Sequence, residues 1–305
     1  MNENEKNALL EETLELKKQK NALVLAHYYV PSETQAAADF VCDSFEMAKR
    51  ARAASEDIIV ICGVSFMGES AALLAPDKKV LLPVPEAGCP MAEMITPEEI
   101  AKYRALHPEA AVVCYVNSTA EVKAASDICC TSASAEKVVR SLPQKEIIFV
   151  PDRNLGSYIA AHCPEKTVYL HSGYCPAHDA VTEADVLRAK AEHPDCAFAV
   201  HPECRADVVK HADYVGSTSG IIEFARASDK KGFIIGTENE ITAVLRKALP
   251  DKEIWPVSHD FVCENMKLVT LKALRDCLKY ERYAVSVPED KRANALSALD
   301  KMVKV

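Results

Sequence analysis

Ala22-Leu-Val-Leu-Ala-His-Tyr-Tyr29 is a five-residue apolar run that ends on a histidine. Two later stretches are built alike, Ala110-Ala-Val-Val-Cys-Tyr-Val-Asn117 and Cys196-Ala-Phe-Ala-Val-His-Pro-Glu203. The apolar parts, Ala22–Ala26, Ala110–Cys114 and Cys196–Val200, read as buried strands. The residues beyond each run share one spacing. Counting from His27, Tyr115 and His201, an Asp stands twelve residues on (Asp39, Asp127, Asp213) and a hydroxyl seventeen on (Ser44, Ser132, Thr218). A cysteine stands 60 to 62 residues on (Cys89, Cys175, Cys263). The repeats start 88 and then 86 residues apart, and such a period marks one supersecondary unit copied in series.

Each copy carries the same elements. A helical stretch comes after the hydroxyl (45–54, 133–142, 219–227), then a strand (58–62, 147–150, 233–235). A second strand (80–84, 167–170, 253–257) leads to the cysteine, and after the first two cysteines comes a further helix (97–106, 183–192). Strands alternating with helices predict parallel sheets. The fold class is α/β: three αβα three-layer domains related by a pseudo-threefold axis, with the active site at their central interface. Residues 1–20 predict an acidic-then-basic helix (Leu9, Leu10, Leu14, Leu16) covering the first unit. The tail predicts two helices separated by a strand at 283–287, returning to complete that unit. The expected domains are 1–88 with 267–305, 89–176, and 177–266.

The 305 residues are 49% hydrophobic and 27% charged, which suits a globular enzyme and excludes a disordered chain. With 36 Lys and Arg against 45 Asp and Glu, the net charge is −9, and no basic block exists to neutralise a polymer of phosphates. Nucleic acid is therefore not an expected partner. The longest apolar runs, 58–64 and 80–85, are far shorter than a membrane span, and Met1-Asn2-Glu3-Asn4-Glu5-Lys6 does not read as a secretory signal. A cytoplasmic protein with no membrane partner is expected. In that compartment the twelve cysteines mean metal, catalysis or packing. No two are three apart, so CxxC sites are absent and a metal must draw its ligands from distant parts of the chain. Neither GxGxxG nor a Walker pattern occurs.

Ligands of parallel sheets bind beyond the carboxyl ends of the strands. His27, Tyr115 and His201 sit at such ends. Tyr29, Asn117 and Glu203, two residues on, point to the same side, and the symmetry gathers all six in one cavity. Ser44, Ser132 and Thr218 stand before helices, where a hydroxyl acts as an N-cap and the free N–H groups attract an anion. Gly216-Ser-Thr-Ser-Gly220 resembles a phosphate-cradling loop. Three repeat cysteines suit a [4Fe–4S] cluster with one open iron, or a Cys₃ zinc site. The other nine are expected to be buried small hydrophobes, with Cys42 and Cys204 the least secure of these.

Taken in order and spacing, Ala26-His-Tyr-Tyr29, Ala38-Asp39 with Asp43-Ser44, Gly88-Cys-Pro-Met-Ala92, Tyr115-Val-Asn117, Thr131-Ser132, Gly173-Tyr-Cys-Pro-Ala-His178, His201-Pro-Glu-Cys204, Gly216–Gly220 and Cys263-Glu-Asn-Met-Lys267 resemble the quinolinate synthase family across essentially the whole chain. The resemblance implies three related αβα domains around a [4Fe–4S] cluster, with Cys89, Cys175 and Cys263 as its ligands. It implies condensation of iminoaspartate with dihydroxyacetone phosphate to quinolinate, with loss of two waters and phosphate. His27, Ser44, Tyr115, Asn117, Ser132, His201, Glu203 and Thr218 match substrate-contacting positions, and Tyr29 matches a tyrosine of the acid–base steps. Glu203, Tyr29, His27 and His201 are the groups available for proton transfer, with Glu203 the candidate general base. The imine substrate implies a functional link to an enzyme that oxidises aspartate. A C-terminal CxxC-containing segment found in some members is absent here, so the thiol regulation suggested for them does not carry over. A zinc-dependent hydrolase and a non-enzymatic protein that binds an anionic metabolite are the rival readings.

Overall fold

The computed structural model describes residues 2–304. The first repeat supplies strands β1 (Ala22–His27), β2 (Phe40–Cys42), β3 (Ile58–Cys62) and β4 (Lys79–Leu81). The second supplies β5 (Ala111–Tyr115), β6 (Ile128–Cys130), β7 (Glu146–Val150) and β8 (Thr167–Leu170). The third supplies β9 (Ala197–Val200), β10 (Tyr214–Val215), β11 (Gly232–Gly236) and β12 (Glu253–Pro256). Each set forms one four-stranded parallel sheet, in the order β2-β1-β3-β4, β6-β5-β7-β8 and β10-β9-β11-β12. Every residue of β1, β3, β5, β9 and β11 is buried, as parallel strands covered by helices on both faces require.

Several elements of each repeat escape the sequence reading, among them a short helix before the edge strand (Ser32–Gln35, Ala120–Ala124, Ala206–Val209). The edge strands β2, β6 and β10 are two or three residues long and carry no clear alternation, so periodicity is blind to them. Between the third and fourth strands lie the helices Ser65–Leu74, Arg153–His162 and Glu240–Ala248, because a parallel return needs a crossover. The fourth strand of the first repeat is also shorter than expected, ending at Leu81.

The repeated aspartates hold the edge strands in place. Asp39, Asp127 and Asp213 each accept through Oδ2 the backbone N–H of Val24, Val112 and Phe198, at 2.8, 2.7 and 2.8 Å. Each then donates its own N–H to the carbonyl of that same residue, at 2.9, 3.0 and 2.8 Å. The short edge strand thus leaves the central strand in a fixed register, and the hydroxyl five residues after the Asp lands beyond the sheet's carboxyl end.

The first helix, Glu3–Gln19, is closed by a capping box between Asn2 and Glu5 and packs on Leu271–Tyr280. Leu9 is buried, whereas Leu14 faces outward at 38% exposure. In the tail, Tyr283–Val285 makes only an antiparallel bridge to β4, with Leu82 N–H donating to Tyr283 O and Val285 N–H to Val80 O. The last helix, Glu289–Lys304, buries Ala295, Ala298, Leu299 and Met302. It lies against Ser65–Leu74 of the first repeat and against Ala120–Ala124 and β6 of the second. No described helix is long and apolar enough to cross a membrane.

Candidate active site

The carboxyl ends of all three sheets open on one cavity of about 290 Å³. Every site residue named from the sequence lines it. His27, Tyr115 and His201 enter from the ends of β1, β5 and β9, with Tyr29, Asn117 and Glu203 just beyond them. Ser44, Ser132 and Thr218 enter from the segments after the edge strands, and Cys89, Cys175 and Cys263 from those after the fourth strands. None of the other nine cysteines lines it. Cys42 and Cys204 are both buried outside it, with Cys204 Sγ 3.7 Å from Gly236 O.

Local backbone geometry orients the histidines. Tyr29 N–H donates to His27 Nδ1 at 3.2 Å, and Glu203 N–H donates to His201 Nδ1 at 3.3 Å. With Nδ1 accepting, Nε2 carries the proton of the neutral ring. His201 Nε2 lies 3.2 Å from Ser132 Oγ. Burial lowers the His27 pKa to about 4 and that of His201 to about 3, so both are neutral imidazoles.

Glu203 is 4% exposed, and burial together with the nearby Asp152 carboxyl raises its pKa well above the usual carboxylate range. Its Oε2 lies 3.0 Å from His178 Nδ1, while Oε1 has no hydrogen-bond partner. The Tyr29 hydroxyl sits 2.8 Å from Thr218 Oγ1 and 2.7 Å from Thr237 Oγ1. Its pKa is raised well above that of free tyrosine, by burial and then by Glu203. Asn117 Oδ1 is buried without a partner, which leaves an acceptor for a ligand to use.

The hydroxyls are not the caps that the sequence suggested. Asp43 caps Ser44–Arg52, accepting from Glu46 N–H, and Ser217 caps Thr218–Ala227, accepting from Gly220 N–H. Ser44 and Thr218 are the first helical residues, so their oxygens are free to face the cavity. Ser132 stands three residues before the helix Ala135–Ser141 and turns to His201 instead. The glycines of Gly216–Gly220 make room for a tyrosine. A Cβ on either one would stand 2.6 Å from the Tyr214 hydroxyl.

Three residues received no role from the sequence. His178, three after Cys175, is 2% exposed and lies 3.1 Å from Cys175 Sγ through Nδ1 and 3.0 Å from Thr237 Oγ1 through Nε2. Asp152 and Glu238 are fully buried carboxyls 37 residues after Tyr115 and His201, a column that ends in Val64 in the first repeat. Glu238 lines the cavity and pairs with Lys267 Nζ at 2.8 Å. That column was the available signal.

The cysteines share one local design. Each precedes a single helical turn, Pro90–Glu93, Pro176–Asp179 and Glu264–Lys267. Backbone N–H groups of that turn face the sulfur: Met91 and Ala92, His178, and Asn265 and Met266. Burial still raises all three thiols, Cys89 to about 12, so they stay protonated until a metal offsets the charge of the thiolates. Three soft donors with amide hydrogen bonds to sulfur suit an iron–sulfur cluster. Cys175 Sγ, His178 and Glu203 also place their ligand atoms within 4.8 Å of one another, a mixed set.

The family model for quinolinate synthetase A protein matches residues 11–304. A quinolinate synthase of Methanoregula boonei is 52% identical over 295 residues, 97% of this chain and 97% of its own. The quinolinate synthase 2 of Methanosarcina acetivorans is 49% identical over 297 residues, 97% of this chain and 96% of its own. A quinolinate synthase of Thermodesulfovibrio yellowstonii is 48% identical over 297 residues, 97% of this chain and 98% of its own. A chain that matches at this identity from end to end, and whose three repeats converge on one cavity, is an enzyme of the quinolinate synthase family.

Proposed function

We propose that this enzyme condenses iminoaspartate with dihydroxyacetone phosphate to quinolinate, releasing two waters and phosphate, as a cytoplasmic step of NAD biosynthesis. The observation that carries the reading is the cavity's choice of cysteines. Of twelve, only Cys89, Cys175 and Cys263 reach it, one from each repeat. These three would hold a [4Fe–4S] cluster. Bound there with one iron open, the cluster supplies a Lewis acid for a substrate carboxylate or hydroxyl.

The chain's own residues supply binding, orientation and proton transfer. The helices Ser44–Arg52 and Thr218–Ala227 turn their N-termini to the cavity, and with the hydroxyls of Ser44, Ser132 and Thr218 they bind the phosphate and carboxylates. No Lys or Arg lines the cavity among the described residues, so these dipoles, the hydroxyls and the neutral His27 and His201 carry that task. Tyr115 and Asn117 complete the contact surface. Glu203 takes protons from the condensing carbons, with His178 behind its Oε2. The Tyr29 phenol, protonated at neutral pH, donates to a departing oxygen. Burial of these groups keeps water from the reactive imine. The proposed units are 1–88 with 267–305, 89–176 and 177–266; Cys89 and Cys175 stand at the two ends of the second, and Cys263 near the end of the third.

A zinc hydrolase has one observation in its favour, the mixed Cys175, His178 and Glu203 set. It leaves Cys89 and Cys263, with the same sulfur-facing amides, unexplained. Purification under nitrogen decides between them. About four irons with matching sulfide per chain, no zinc, and quinolinate formed from iminoaspartate and dihydroxyacetone phosphate are expected. A colourless zinc protein that makes no quinolinate overturns the proposal.

A further inference from the structure

Tyr29 is held at two points, directly by Thr237 and through Lys267 by Glu238, a dipeptide just past β11. Its hydroxyl lies 2.7 Å from Thr237 Oγ1. Its backbone carbonyl accepts from Lys267 Nζ at 2.7 Å, and that ammonium is held 2.8 Å from Glu238 Oε1. Thr237 and Glu238 are both fully buried. Glu238 lines the cavity but Thr237 does not. The threonine oxygen instead stands between two side chains that do line it, the Tyr29 hydroxyl and His178 Nε2 at 3.0 Å. One hydroxyl proton and two lone pairs serve both partners.

The repeat shows that the fold does not require this hydroxyl. The matching positions in the first two repeats are Gly63 and Pro151, which offer no side-chain donor. The hydroxyl occurs only in the third repeat, where it reaches across to the one tyrosine that stands two residues after a repeat start.

We propose that Thr237 is a positioning residue for the reaction, fixing the direction of the Tyr29 hydroxyl and of the His178 ring without touching substrate. It rests on the reading of this cavity as the site of quinolinate formation. A packing role needs only the volume, which valine supplies. A positioning role needs the oxygen, which serine keeps. Thr237→Val leaves Tyr29 its bond to Thr218, so the hydroxyl is not stranded.

The test uses the iron-loaded full chain. For Thr237→Val, kcat is expected to fall roughly 10–100-fold, with KM for dihydroxyacetone phosphate within about threefold of the parent. Iron content is expected to be unchanged, and Thr237→Ser to stay within about threefold of the parent rate. On a Tyr29→Phe background, Thr237→Val is expected to add nothing further. An independent readout is the ¹⁹F resonance of 3-fluorotyrosine at position 29, which should move in the valine variant and return in the serine one. A valine variant at parental kcat, a serine variant as slow as the valine one, or a ¹⁹F signal that valine leaves in place overturns the proposal. If the parent enzyme makes no quinolinate, the functional reading fails, and the ¹⁹F shift alone decides for or against Thr237.

Discussion

Glu203 is the residue in which burial and function are hardest to separate. Oε2 faces His178 at 3.0 Å, Oε1 has no partner, and the side chain is almost wholly removed from water. Oε1 is therefore an acceptor that a ligand in the cavity can use. Glu203→Gln keeps the shape and removes the basic oxygen. It is expected to retain full iron content and to lose about 10²–10⁴-fold in kcat. Turnover beside iron analysis checks this, and a glutamine variant at near-parental rate removes Glu203 from the proton transfers. Residues of this kind were legible because they recur. His27, Tyr115 and His201, their neighbours two residues on, and the three cysteines form columns that one chain displays by itself. His178 and Thr237 were not legible for the opposite reason. Their counterparts are Ala92 and Met266, and Gly63 and Pro151, so no column marks them. The scaffold repeats, while the hydrogen bonds that make the site chemically one-sided occur only once.

At the scale of elements, the repeated aspartate proves to be a fastener. Asp213 Oδ2 accepts from the N–H of Phe198, a fully buried residue at the start of β9, and Asp213 N–H returns the bond. Asp213→Ala strands that N–H and is expected to cost about 1–3 kcal/mol, read as a lower urea midpoint and faster amide exchange at Phe198. Asp213→Asn keeps an acceptor and is expected to lose far less. Equal losses in the two variants mean that the carboxylate's charge, and not its hydrogen bond, fastens the strand. The central strands were legible as unbroken apolar runs, because burial on both faces removes any polar alternation. Edge strands of two or three residues were not, since so short a segment has no period to detect. Nor was the cap assignment. A serine before a helix looks like a cap, yet Asp43 and Ser217, one residue earlier, take that role and free Ser44 and Thr218 for the cavity.

For the whole molecule, three sheets of identical strand order each send one cysteine into a shared cavity. No local stretch of chain holds two of the three, so a cluster bound there joins all three repeats. The expected consequence is a split among the twelve cysteines. Replacing Cys89, Cys175 or Cys263 by Ala leaves two thiolates from different repeats, and each such variant is expected to lose the cluster. Cys163 and Cys277 are fully buried, and Cys196 half-buried, away from the cavity. Their alanine variants are expected to keep iron and sulfide near the parental content, with a packing loss of about 1–2 kcal/mol. Iron and sulfide per chain, measured under nitrogen on the six variants, separate the two groups. A full cluster in one of the first three means that the ligands were assigned wrongly, as does its loss from a well-folded member of the second. The Cys175, His178 and Glu203 set predicts a different split, because a metal held there is indifferent to Cys89 and Cys263. Cys89→Ala and Cys263→Ala are therefore the most informative variants. Each removes a donor that only the threefold arrangement requires, and each leaves the mixed set untouched.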